Sequence, residues 1–87
     1  MKVVVVHWLD AVSDRGQLTL KQVENMKPVP IVSAGLLIKN DERGVIFTQD
    51  FMWDGSDGDE EYRSSQMIPK AYITSIEIKD FDGHSND

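Results

Sequence analysis

The chain has 87 residues, with fifteen acidic against nine basic for a formal charge of -6, and no cysteine. That length holds one domain with one modest core and excludes separate cofactor and substrate domains. The missing cysteine excludes a disulfide framework, a thiolate metal site and a cysteine nucleophile, while the negative balance opposes non-specific attraction to a phosphate backbone.

Lys2 to Leu9 reads as the first strand, because the run Val3 to Val6 branches at Cβ and suits a pleat better than a helical turn. A period of two puts Val4, Val6 and Trp8 on one face and Val3, Val5, His7 and Leu9 on the other. Two largely apolar faces predict a strand that is central or buried against a helix. The apolar run meets His7 and Asp10 too soon for a signal peptide, and no later stretch approaches membrane-spanning length, so the chain reads as soluble and unprocessed. Ala11 to Gln17 is a polar loop. Thr19 and Gln22 then match a capping box, and Leu18 and Val23 a hydrophobic staple, so a short helix begins there. Its narrow stripe is Leu20, Val23 and Met26, and Pro28 stops it.

The region from Pro30 to Met52 organises the rest. Two apolar segments, Ile31 to Ile38 and Val45 to Met52, flank the polar stretch Lys39 to Gly44, whose Asn40, Asp41 and Gly44 tolerate a tight turn. In the first segment Val32, Ala34, Leu36 and Ile38 share a wholly apolar face, and Ile31, Ser33, Gly35, Leu37 and Lys39 a mixed one. Gly35 in mid-strand predicts a bend, a bulge or a close backbone approach. Trp53 to Glu61 is an acidic loop, Tyr62 to Met67 a further strand, Ile68 to Ala71 a tight turn and Tyr72 to Ile78 a half-buried last strand. The domain therefore spans residues 1–79, and Asp80 to Asp87 is a flexible acidic tail with Phe81 its only apolar anchor.

This order describes a mainly β protein with one short α-helix, and it looks like a small five-stranded barrel of the Sm-like or Src-homology type. Trp8, Asp10 and Ala11 in the pattern W-x-D-A, then Val32, Ser33, Gly35 and Leu37, then Ile68 and Pro69, resemble a widespread group of short bacteriophage and prophage proteins. The resemblance covers roughly residues 3 to 78. It departs from the pattern at Leu36 and Leu37, where an aromatic is expected after the glycine, and at the polar run Thr48 to Asp50. It implies an accessory protein in the cytoplasm of a bacterial host cell, and that group carries no agreed activity.

No constellation for chemistry survives the spacing. Started at Asp57, a calcium loop needs Gly at its sixth place and an acid at its twelfth, where Tyr62 and Ile68 stand. His7, Asp10 and a serine compose a hydrolase triad only on paper, and no G-x-S-x-G elbow accompanies them or His84. The expectation is therefore a non-catalytic binding or assembly module without cofactor or metal, homo-oligomeric because its strands are apolar on more than one face. Its partner is a host or phage protein or a small ligand. Trp53, at the rim, and the acidic Asp54, Asp57, Asp59, Glu60 and Glu61 are the candidate partner-binding residues. The alternative is an Sm-like binder of single-stranded nucleic acid, against which Lys21, Lys27, Lys39, Arg43, Arg63, Lys70 and Lys79 lie scattered without a basic stripe.

Overall fold

The computed structural model describes residues 1–53 and 60–81, Trp53 by its backbone alone. Five antiparallel strands, β1 (Lys2–Asp10), β2 (Val29–Asn40), β3 (Gly44–Trp53), β4 (Glu60–Pro69) and β5 (Ile73–Asp80), form one sheet in the order β4-β3-β2-β1-β5. The mainly β class expected from the patterning is present. The sheet is open: among the described residues β4 and β5 are its two edges, and no ladder joins them into a closed barrel. A single 3-10 turn, Lys70–Tyr72, connects them, and the Lys70 N–H donates to the Arg43 carbonyl at 3.0 Å.

β1 is an interior strand, flanked by β2 and β5, and of its two apolar faces the one with Val4 and Val6 is buried while Val3 and Val5 are half-buried. Val4 and Val6 point into the core with Val45, Phe47 and Ile68, and Trp8, Leu37, Ile73 and Ile76 pack against that cluster. The face of β2 that packs inward is the mixed one. Ser33 accepts a hydrogen bond from the Trp8 indole N–H at 3.0 Å. A Cβ at Gly35 would stand 2.7 Å from the Thr48 carbonyl oxygen and 2.8 Å from the Phe47 ring, so Gly35 marks the close backbone approach its position suggested. The wholly apolar face turns outward as a result, with Val32 62% and Ile38 50% exposed.

Two bulges shape the sheet. β5 has an extra residue, Thr74, opposite the His7/Trp8 step, and its hydroxyl donates to the His7 carbonyl at 3.0 Å. β2 has an extra residue, Ile38, against β3. The β2–β3 turn closes through reciprocal bonds between Asp41 and Gly44, with the Asp41 carboxylate accepting the Arg43 N–H at 2.9 Å. The carboxylate bond makes this an Asx-type turn. A Cβ at Gly44 would collide with the Ile68 carbonyl oxygen, which places glycine there for steric reasons.

The capping box forms as expected: Gln22 N–H donates to the Thr19 hydroxyl and Thr19 N–H to the Gln22 side chain. The helix it opens, α1 (Leu20–Glu24), lasts five residues and ends at Asn25, short of the stop set by Pro28. α1 buries none of its residues, so no packing among the described residues extends it beyond its nucleus, and β1 is not covered by it. No helix among the described residues is long and apolar enough to cross a membrane.

Candidate functional site

β2 and β3 stay paired only from Leu36↔Thr48 to Asn40↔Val45 and then diverge. β2 continues against β1, from Leu36 back to Val29, while β3 continues against β4 through Asp50↔Arg63, Phe51↔Tyr62, Met52↔Glu61 and Trp53↔Glu60. The outer halves of β3 and β4 therefore make a two-stranded arm that pairs with no other described strand. Its root is polar and fully satisfied. Thr48 is buried, its hydroxyl donates to the Arg63 carbonyl at 2.9 Å, and it accepts from the Ser65 hydroxyl at 3.1 Å. The ladder skips one pair beyond it, where Ser64 takes a left-handed φ of 62° and the Gln49 amide reaches across to the Ala34 carbonyl at 2.7 Å. Gln49 thus satisfies an acceptor that β3 would have paired had it stayed beside β2.

The arm carries aromatic surface between charged groups. The Phe51 and Tyr62 rings lie 5.6 Å apart at 60°, a tilted contact across the ladder, and each is a little under half exposed. Arg63 bonds Asp50 through Nε at 3.0 Å, and the Tyr62 hydroxyl donates to a Glu60 carboxylate oxygen at 2.8 Å. That bond to the neutral phenol, with desolvation and the Glu60 charge adding to it, raises the Tyr62 pKa above its ordinary value. Between these rings and Met1, Leu36, Leu37 and Ile38 lies a groove of about 180 Å³. A second groove, of about 320 Å³, lies at the far end of β1 and β5 between Leu9, Asp10, Ala11, Pro28, Tyr72 and Ile73.

Of the residues expected to bind a partner, Glu60 and Glu61 belong to β4 and not to a loop, exposed and opposite Trp53 and Met52. Trp53 is the last residue of β3. Asp54, Asp57 and Asp59 lie outside the described residues, as do His84 and the tail from residue 82. Asp80, expected in that tail, is the last residue of β5, and the Phe81 N–H donates to the Met1 carbonyl at 2.7 Å. Sequence reasoning missed the pairing of Phe51 with Tyr62 and both grooves. The pairing was findable: the two rings stand at mirror positions about the acidic stretch, so a hairpin centred there sets them opposite each other. The grooves depend on where strands end in space and left no mark in the sequence.

His7 and Asp10 are three residues apart on one extended strand, which turns them to opposite faces about 10 Å apart along it. Asp10 uses a carboxylate oxygen to accept the Ala11 N–H at 2.9 Å. Among the described residues no group of three or more His, Asp or Glu is placed to hold a metal ion. Several of the cations are engaged one by one: Arg63 with Asp50, Lys39 with Asp41 at 3.4 Å, Lys70 with the Asn40 side chain at 2.8 Å. What the arrangement offers is apolar and aromatic surface framed by isolated charges. Comparison with protein-family models, with curated proteins and with solved structures finds no match to this chain.

Proposed function

We propose that this chain is a non-catalytic assembly module of the bacteriophage accessory type, which works as a homo-oligomer and meets a protein partner through the β3–β4 arm. The observation that carries the proposal is an imbalance. Among the described residues five hydrophobic side chains are buried, while sixteen large ones, Val32, Ile38, Phe51 and Tyr62 among them, remain exposed. A monomer rarely leaves so much apolar surface in water, and a second copy removes it at no cost in new sequence. The two sheet edges, which pair with no other strand among the described residues, favour association in the same direction. An Sm-like barrel belongs to this reading, since joining the free edges of β4 and β5 would close the sheet. The bacteriophage setting rests on the W-x-D-A, V-S-x-G-x-L and I-P pattern of the sequence.

The oligomer is tested by light scattering at micromolar concentration, where a particle of at least twice the 9.9 kDa chain is expected and a strict monomer overturns the proposal. The arm is tested by affinity capture from infected and uninfected host lysates with wild-type chain and with Phe51→Ser/Tyr62→Ser. A protein retained by the wild type and lost by the variant supports the assignment; equal capture by both overturns it.

A further inference from the structure

The connection from β1 to β2 carries a helix that buries none of its residues against the described strands. α1 is built by a complete capping box, so its start is set locally, yet Leu20 is 74%, Val23 49% and Met26 39% exposed. Met26 continues the turn through its N–H bond to the Val23 carbonyl at 3.1 Å, which keeps the three side chains on one ridge. Lys21 and Lys27 flank that ridge.

The second groove has the complementary character. Leu9, Ala11, Pro28, Tyr72 and Ile73 make its walls apolar, and Asp10 is the charged residue on it. An apolar cavity of about 150 Å³ takes a benzene-sized group, so about 320 Å³ takes two or three aliphatic side chains. The helix of the same chain is poorly placed to fill it. Pro28 lies on the groove's rim, and only Asn25 to Lys27 separate it from α1, a reach of about 10 Å. Turning the ridge back into the groove would require a sharp reversal at Lys27, which the following proline holds extended. A helix from another copy meets no such restriction. Because ridge and groove stand at the same end of the fold, two copies can exchange them reciprocally about a two-fold axis, each Lys21 and Lys27 approaching the other's Asp10.

We infer that the ridge Leu20, Val23 and Met26 of one chain seats in the groove between Leu9, Ala11, Tyr72 and Ile73 of a second copy, and the reverse. This rests on the homo-oligomer proposed above and names its interface. The chain has no cysteine, so introduced pairs report on it directly. Val23→Cys and Ala71→Cys chains are mixed and oxidised mildly, with Val23→Cys mixed with Glu77→Cys, on exposed β5, as the control. The expected result is a mixed disulfide dimer from the first pair at least tenfold in excess over the control. A chain carrying both Val23→Cys and Ala71→Cys should link between chains, and a link within one chain overturns the inference. Leu20→Asp, at a site already exposed, should keep the wild-type circular dichroism and raise the dissociation constant in sedimentation velocity at least tenfold. An oligomeric wild type with no crosslink and an unaffected Leu20→Asp overturns this interface and leaves the oligomer standing, whereas a monomeric wild type overturns both.

Discussion

Gly35→Ala adds one methyl group at the place where β2, β3 and the core meet. The added Cβ would lie 2.7 Å from the Thr48 carbonyl oxygen, 2.8 Å from Phe47 Cδ2 and 3.3 Å from the Thr48 carbonyl carbon. Two of those three atoms are backbone in a paired strand, and the third belongs to a fully buried ring, so none withdraws cheaply. Overpacking of this kind costs about 1–3 kcal/mol. Against it stands the ordinary gain from replacing glycine, about 0.4–1 kcal/mol through the less flexible unfolded chain. The steric term wins, and the net loss is about 1–2 kcal/mol, or roughly 4–15 °C in melting temperature for a domain of this size. Thermal unfolding followed by circular dichroism, wild type and variant at one protein concentration, measures it. The sign makes the test sharp. An unchanged or raised melting temperature would refute the close approach of β2 to β3, because a glycine kept only for flexibility gives the opposite result.

Thr48→Val keeps the shape of the buried side chain and removes its hydroxyl, which leaves the Arg63 carbonyl and the Ser65 hydroxyl to find other partners; chemical denaturation should show a loss of about 1 kcal/mol, and a neutral result would mean the arm's root is held by the ladder alone. The Asp41 carboxyl is held below its ordinary value of 3.8, first by the Arg43 N–H and then by Lys39 and the Gly44 N–H acting against some desolvation. Its folded pKa being the lower one, its contribution is present above the unfolded value and is lost as pH falls through the folded one. A carboxyl titration followed by NMR should give a midpoint below 3.8, and a midpoint at or above that value contradicts the turn geometry. Replacing residues 54–59 by a short glycine-containing turn that joins Trp53 to Glu60 should shift the melting temperature by only a few degrees, since the stretch consists of Asp, Gly and Ser and has no apolar side chain whose burial could be lost. Unfolding of that variant would show the stretch to be structural.

What the sequence decided by itself is what depends on near neighbours along the chain. The valine run specifies β1 through branching at Cβ, and Thr19 with Gln22 specifies the start of α1 through two reciprocal bonds. Asp41 and Gly44 specify the turn that makes β2 and β3 a hairpin. Each of these is complete within four residues, or repeats every two, and so survives without knowledge of the fold. The tertiary structure decided the rest. Pattern alone marked the face with Val32, Ala34 and Ile38 as the apolar one, yet Gly35, Ser33 and Leu37 face the core, because Phe47 and the Trp8 indole need the space and the hydroxyl found on that side. α1 ends early because it buries none of its residues against the described strands, a fact about distant residues that no local propensity carries. The parting of β2 from β3 beyond Thr48, which leaves Phe51 and Tyr62 on an arm paired with no other described strand, is fixed across strands: the Thr48 hydroxyl donates to the Arg63 carbonyl of β4, and the Gln49 amide takes up the Ala34 carbonyl on the edge of β2 that β3 leaves. Both bonds join residues 15 apart in the chain, so they form only once β2, β3 and β4 are in place.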